Sequence, residues 1–295
     1  MNWAGDHAIV DVQSRNDSEL SDTFHIGFES HYVTVRSSVP QISRQLVRSV
    51  APMLRSAPHG IKAGSFEVAA TRQGIVIRDL CSASCVHSMD WEAAAQTLQH
   101  SAVKVLIEAR PDLLWMHAGV VAHAGQAVIV TGPSGHGKST IVSEFLAHGW
   151  NYLSDEIAAI DFGTASVVPF PLTPYRRVSS KKRLSKEEVL HLDKIRIELA
   201  EHAISRVSVP IESIYFLCYS PGQSAIRLDR CSPGAAVIEM LRNSLSPSEA
   251  RDEEVGRLCS LIARVRSACL YYSDANEAAA HIIRLRSHAS APASV

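Results

Sequence analysis

One stretch of this 295-residue chain holds residues whose types and order could do chemistry as they stand. Gly132-Pro133-Ser134-Gly135-His136-Gly137-Lys138-Ser139-Thr140 matches G-x-x-x-x-G-K-[ST] in full, with an apolar run at 126–130 before it and an amphipathic one at 141–147 after it. Three glycines let the backbone bend until several amide hydrogens converge on one anion, and the positive end of the following helix adds to the attraction. Lys138 is placed to neutralise the β and γ phosphates of a nucleotide, and the Ser139 hydroxyl to ligate a Mg²⁺ bridging them. Cofactor contacts are therefore expected along Gly132, Ser134, Gly135, His136, Gly137, Lys138, Ser139 and Thr140, although a side chain at a variable position such as His136 need not face the phosphates. The expected cofactors are ATP and Mg²⁺.

A phosphate loop specifies a nucleotide, not a reaction. The segment 149–156 closes on Asp155-Glu156, two acids at the end of a strand pattern soon after the loop helix. A strand parallel to the one feeding the loop brings such an end to the same sheet edge as the phosphates. There one carboxylate can take the proton of an acceptor hydroxyl while a neighbour holds the metal. Alternation along a strand points Asp155 and Glu156 in different directions, so the two acids should not share one role.

These groups need a scaffold. Short alternating runs at 24–28, 32–35, 65–69 and 74–78 read as strands, and 41–54 and 91–109 carry helical spacing, so the first hundred residues form a small α+β module. From Leu113 two buried strands joined by a turn lead into Gly132, and the loop helix is capped by His148-Gly149. Further strands are expected at 152–160, 213–219 and 225–228, with helices at 235–241, 249–266 and 276–286. The resulting division is an accessory domain over 1–109, a nucleotide-binding domain over 110–286 and a frayed tail over 287–295.

Composition bounds the partners. With 46% apolar residues, 20% charged residues and a net charge of -1, the chain suits a globular fold, and nucleic acid is not the expected partner despite basic clusters at Arg176-Arg177 and Lys181-Lys182-Arg183. No segment reaches the roughly 18 uninterrupted apolar residues of a membrane span, and no signal pattern opens the sequence, so a cytoplasmic location without membrane attachment is expected. Six irregularly spaced cysteines read as reduced thiols. Cys81, Cys85 and His87 offer three zinc ligands where a closed site needs four.

At Met116-His117-Ala118-Gly119, at 132–140 and at 149–156 the sequence resembles the HPr kinase/phosphorylase superfamily. It is more similar to the smaller HPr-kinase-related branch found beside peptide-modification genes, which includes lasso-peptide kinases. Weaker similarity runs through 168–176 and 214–283. The resemblance implies an α/β fold with a mixed sheet, similar in topology to phosphoenolpyruvate carboxykinase. It also implies Lys138 and Ser139 on nucleotide and metal, Asp155 as the base that activates a serine hydroxyl, Glu156 on the metal where better-known members have a second Asp, and His117 near the γ phosphate. Assembly into dimers or rings is common in that superfamily. The Glu-x-Arg-Gly signature of bifunctional members has no counterpart between Arg177 and Val209, which speaks against phosphorolysis and against HPr as acceptor; Arg176, a further expected cofactor contact, and Arg177 offer positive charge in its place, to the transition state or to an acidic acceptor. The expected activity is ATP-dependent phosphorylation of a hydroxyl, on a serine of a peptide or protein. A small-molecule acceptor is the alternative within enzymes, and a nucleotide-sensing regulator the alternative outside them.

Overall fold

The computed structural model describes residues 22–177, 194–223, 225–245 and 251–289. The basic cluster at 181–183, the first 21 residues and the final six lie outside them. The described part is a mixed α/β structure built on two mixed sheets.

In the first sheet, β1 (Asp22–Phe28) and β2 (His31–Ser37) form a hairpin, and β4 (Ile61–Thr71) joins β2 in parallel. Beyond β4 lie β5 (Gly74–Asp79) and β6 (Cys85–Ser88), both antiparallel, while the two-residue β3 (Leu54–Arg55) flanks β1 on the other edge. Helices α1 (Pro40–Val50) and α2 (Trp91–Glu108) cover one face. Ile42, Leu46 and Val50 of α1 recur on one stripe and are buried, each contributing about 1.5–3 kcal/mol by leaving water. Helix α1 stops four residues short of the expected Leu54, because Pro52 has no amide hydrogen to continue the ladder and the chain tightens into a 3₁₀ turn at Ala51–Met53. Asp90 caps α2, its carboxylate accepting the amides of Glu92 and Ala93.

The second sheet opens with the hairpin of β7 (Leu114–His123) and β8 (Gln126–Thr131), turned at Ala124 and Gly125 with φ of 51° and 73°, the left-handed pair that matches strand twist. After α3 (Lys138–Ala147) come β9 (Asn151–Ser154), β10 (Ile157–Asp161) and β11 (Ser166–Val168), then the small pair β12 (Tyr175–Arg177) and β13 (Lys194–Arg196). The chain continues through β14 (Val209–Tyr219), β15 (Arg227–Arg230), α4 (Pro233–Arg242), α5 (Arg251–Ile262), β16 (Arg266–Tyr272) and α6 (Ala275–Ala289). Strand order is β11-β10-β7-β8-β14-β16-β15, with β9 also beside β7, and a second pairing of β11 with β14 closes one end of the sheet on itself. Strands β8, β14 and β16 are parallel. Apolar contacts seat α3 and α6 on one face and α4 and α5 on the other.

Three further expectations are corrected here. The run 152–160 is two strands, because the Ser154 hydroxyl accepts the Ile157 amide and donates to the Ile157 carbonyl, closing a turn around Asp155 and Glu156. The helix expected over 249–266 ends at Ile262, and Arg266 already belongs to β16. Helix α6 runs to Ala289, three residues into the stretch read as tail. The two sheets share one core across residue 110. Phe28 of β1, Trp115 of β7 and Phe170 bring their ring centres within 5.0–5.4 Å of one another. No helix among the described residues is long and apolar enough to cross a membrane.

Candidate functional site

The glycine-rich turn leaves the C-terminal end of β8 and becomes the first turn of α3. Gly135 and Gly137 hold φ of 84° and 79°, a region that side-chain-bearing residues enter only at a cost. A Cβ at Gly132 would stand 3.0 Å from the Leu217 carbonyl of β14, so the turn is pressed against the parallel strands, whereas one at Gly135 would meet nothing within 4 Å. No side chain caps α3, which leaves its first-turn amides to an anion. Lys138 is only 7% exposed, and its ammonium donates to the carbonyls of Gly132 at 2.7 Å and Pro133 at 3.3 Å, so the positive charge is held at the turn itself.

His136 is turned the other way. Its Nδ1 donates to the Leu217 carbonyl at 3.1 Å, and its own carbonyl accepts the Tyr272 hydroxyl. Burial pushes that hydroxyl above its ordinary range, so it stays a donor. His136 is thus an anchor of the loop on β14 and β16, not a wall of the cradle. Tyr272 and Leu217, which do the anchoring, carry no motif that would single them out in the sequence.

Because β9 and β8 both run antiparallel to β7, their C-terminal ends reach the same edge, with β7 between them. Asp155 follows β9 at that edge and is 8% exposed, while Glu156 is exposed. A Cβ on Gly119 of β7 would stand 3.6 Å from Asp155 Oδ1, which shows how closely the carboxylate lies over that strand. His117 of β7 lies beside the pair. Its Nδ1 donates to the Glu156 carbonyl at 2.9 Å, and its amide donates to the Asn243 carbonyl at 2.7 Å. Burial first, then the Lys138 charge, lowers the imidazole's pKa, so the neutral ring is favoured and Nε2 keeps its lone pair. Asn243, at the end of α4, positions this histidine from far along the chain, and nothing in the sequence signals it.

These residues open on one cavity of about 300 Å³, lined by His117, Ser134, Gly135, Gly137, Lys138, Ser139 and Thr140, by Tyr152, Asp155 and Glu156, and opposite them by Leu172, Thr173, Pro174 and Tyr175. The opposite wall is tied down on both sides. Tyr152 donates its hydroxyl to the Leu172 carbonyl at 2.6 Å, and Thr173 donates its amide to Ser49 and its hydroxyl to Arg48, both on α1. The first sheet's helix therefore sets one side of the cavity. Arg176 follows Tyr175 on β12, which brings its backbone to the rim; its side chain lies outside the described part. Of the expected site residues, His117, Lys138, Ser139, Asp155 and Glu156 converge with Ser134, Gly135, Gly137 and Thr140, whereas Gly132 and His136 do not line the cavity.

Among the described residues no group of three or more His, Cys, Asp or Glu side chains could hold a metal by itself, Cys81, Cys85 and His87 included. A magnesium ion needs less from the protein, since one or two oxygens, here Ser139 Oγ and Glu156, suffice when phosphates and water complete its shell.

No family model matches the chain, and no curated protein matches it. Among solved structures, the HPr(Ser) kinase/phosphatase from Coxiella burnetii is similar over 59% of this chain and 95% of its own, at 12% identity and a TM-score of 0.31. A superposition that loose argues for no activity.

Proposed function

We propose that this chain is an ATP-dependent kinase that moves the γ-phosphoryl group to a hydroxyl, with serine of a peptide or protein as the acceptor. One observation carries the reading: a left-handed glycine turn bearing Lys138 and Ser139, and a buried acid, Asp155, open onto the same cavity from the ends of co-directional strands. The sequence resemblance at 116–119, 132–140 and 149–156 points the same way.

The first-turn amides of α3 and the Lys138 ammonium receive the β and γ phosphates, the ammonium exchanging loop carbonyls for phosphate oxygens. Ser139 and Glu156 would hold Mg²⁺, which offsets charge on the leaving diphosphate. Asp155 accepts the proton of the incoming hydroxyl as its oxygen bonds to the γ phosphorus and the bond to the β-phosphate oxygen breaks. Partial burial keeps that carboxylate among few competing waters. His117, held neutral, fixes the Glu156 backbone and with it the turn that presents Asp155.

The test is transfer from γ-labelled ATP to a peptide array and, in parallel, to a pool of small hydroxyl compounds. Label is expected on seryl peptides. Asp155→Asn should bind nucleotide as the parent does and transfer about 10²–10⁴-fold more slowly. Label on small molecules alone would move the acceptor class, and near-parental turnover by the variant would remove Asp155 as the base.

A further inference from the structure

A second cavity of about 270 Å³ lies at the seam of the two sheets, and the phosphate site does not use it. Its apolar surfaces come from Phe28, Met53, Leu54, Val168, Pro169 and Pro171. Its polar ones come from Arg55, Arg206, Glu29, Ser205 and Ser208. The charges are not balanced. Glu29 is engaged by Arg110, which also forks onto Asp112 at 2.8 and 2.7 Å. Arg206 shares Glu201 on the exposed side and donates to the Pro52 carbonyl. Among the described residues Arg55 has only backbone partners, the carbonyls of His59 at 2.8 Å and Glu29. Among the described residues no carboxylate forms an ion pair with it. Its side chain crosses close over Gly27, where a Cβ would overlap it.

A guanidinium without a carboxylate, a second guanidinium, the Ser208 hydroxyl and an apolar floor form a receptor for an oxyanion carried on an apolar body, while the Ser205 hydroxyl donates to the Val207 carbonyl. We infer that this cavity binds a small organic anion, with Arg55 as the main contact and Arg206 as the second. The site shares a wall with the phosphate cavity. Pro169 and Pro171 face the anion site, Leu172 to Tyr175 face the phosphate site, and Phe170 between them is buried. Tyr152 touches both sides, through its hydroxyl on Leu172 and its carbonyl on the amide of Ser205.

Calorimetric titration of the full chain tests this with benzoate as the carboxylate probe, phenyl phosphate as the phosphate probe and benzyl alcohol as the neutral control. At least one anion should bind saturably and the alcohol should not. Arg55→Gln should weaken that binding about tenfold, as loss of a charge-assisted contact implies. Ser208→Trp, at an exposed position on the rim, should fill the cavity and abolish binding without unfolding the chain. Lys138→Met, in the other cavity, should leave it unchanged. Saturation by neither anion, equal binding of the alcohol, affinity indifferent to both Arg55→Gln and Ser208→Trp, or affinity lost in Lys138→Met would each overturn the assignment. Because that control separates the two cavities, failure here leaves the kinase reading standing, and the reverse.

Discussion

Replacing Gly119 by alanine puts one methyl group between β7 and the helix that carries the phosphate turn. The backbone there is not left-handed, so the effect is one of packing alone. The new Cβ would lie 2.5 Å from Val142 Cγ2 of α3 and 3.1 Å from Val130 Cγ2 of β8, where carbon atoms at rest sit about 3.5–4.0 Å apart. Both valines are fully buried, so neither side chain can swing into solvent, and α3 must retreat by about 1 Å. Overpacking of this kind costs about 1–3 kcal/mol. For a chain of this size that lowers Tm by roughly 2–12 °C. The retreat also draws Lys138 and Ser139 away from β8, so nucleotide affinity should fall with stability. Differential scanning calorimetry and nucleotide titration on Gly119→Ala, Val142→Ala and the double variant measure both effects. The double variant should recover part of the Tm lost in Gly119→Ala, since the clashing methyl is gone. An unchanged Tm in Gly119→Ala, or strictly additive losses in the double variant, would show that the contact is not as described.

Tyr272→Phe deletes the hydroxyl that holds the His136 carbonyl and so frees the loop from β16; the loss of about 1 kcal/mol should appear as roughly fivefold weaker nucleotide binding, and unaltered affinity would deny the anchor. His117 gives a pH signature. Its folded pKa lies below the ordinary 6.5, so below that pH the unfolded chain takes up a proton that the fold resists. The neutral ring's contribution is complete above 6.5 and is lost as pH falls toward the depressed value. Thermal melts between pH 5 and 7.5 should therefore steepen in the parent relative to His117→Gln, and superimposable pH dependences would contradict the burial assigned to the ring.

Much of the site was legible because its chemistry is local. The glycine turn, Lys138 and Ser139 are consecutive, and their strand and helix neighbours stand beside them in sequence. Asp155 and Glu156 do differ in exposure, but they stand in the turn between β9 and β10, so the difference comes from that turn and not from the strand alternation expected of them. What escaped depends on distant pairing. Strand β16 follows α5 after a short turn, and only its pairing with β14 and β15 makes it a strand. The edge strand β6 is largely exposed and so has no buried alternation to read. Asp155 shares an edge with the loop through the antiparallel β7, not through a parallel neighbour, a relation fixed by topology alone. Asn243, Tyr272 and Thr173 act through one or two hydrogen bonds to backbone groups, which leave no pattern in a lone sequence.

The most direct test is calorimetric titration of a non-hydrolysable ATP analogue into the full chain, with Mg²⁺ and with chelator, in the parent and in Lys138→Met. Saturable binding that requires magnesium and weakens at least about tenfold without the lysine is the expected result. Absence of saturable binding, or binding indifferent to both the ion and Lys138, would contradict the phosphate cradle at its root.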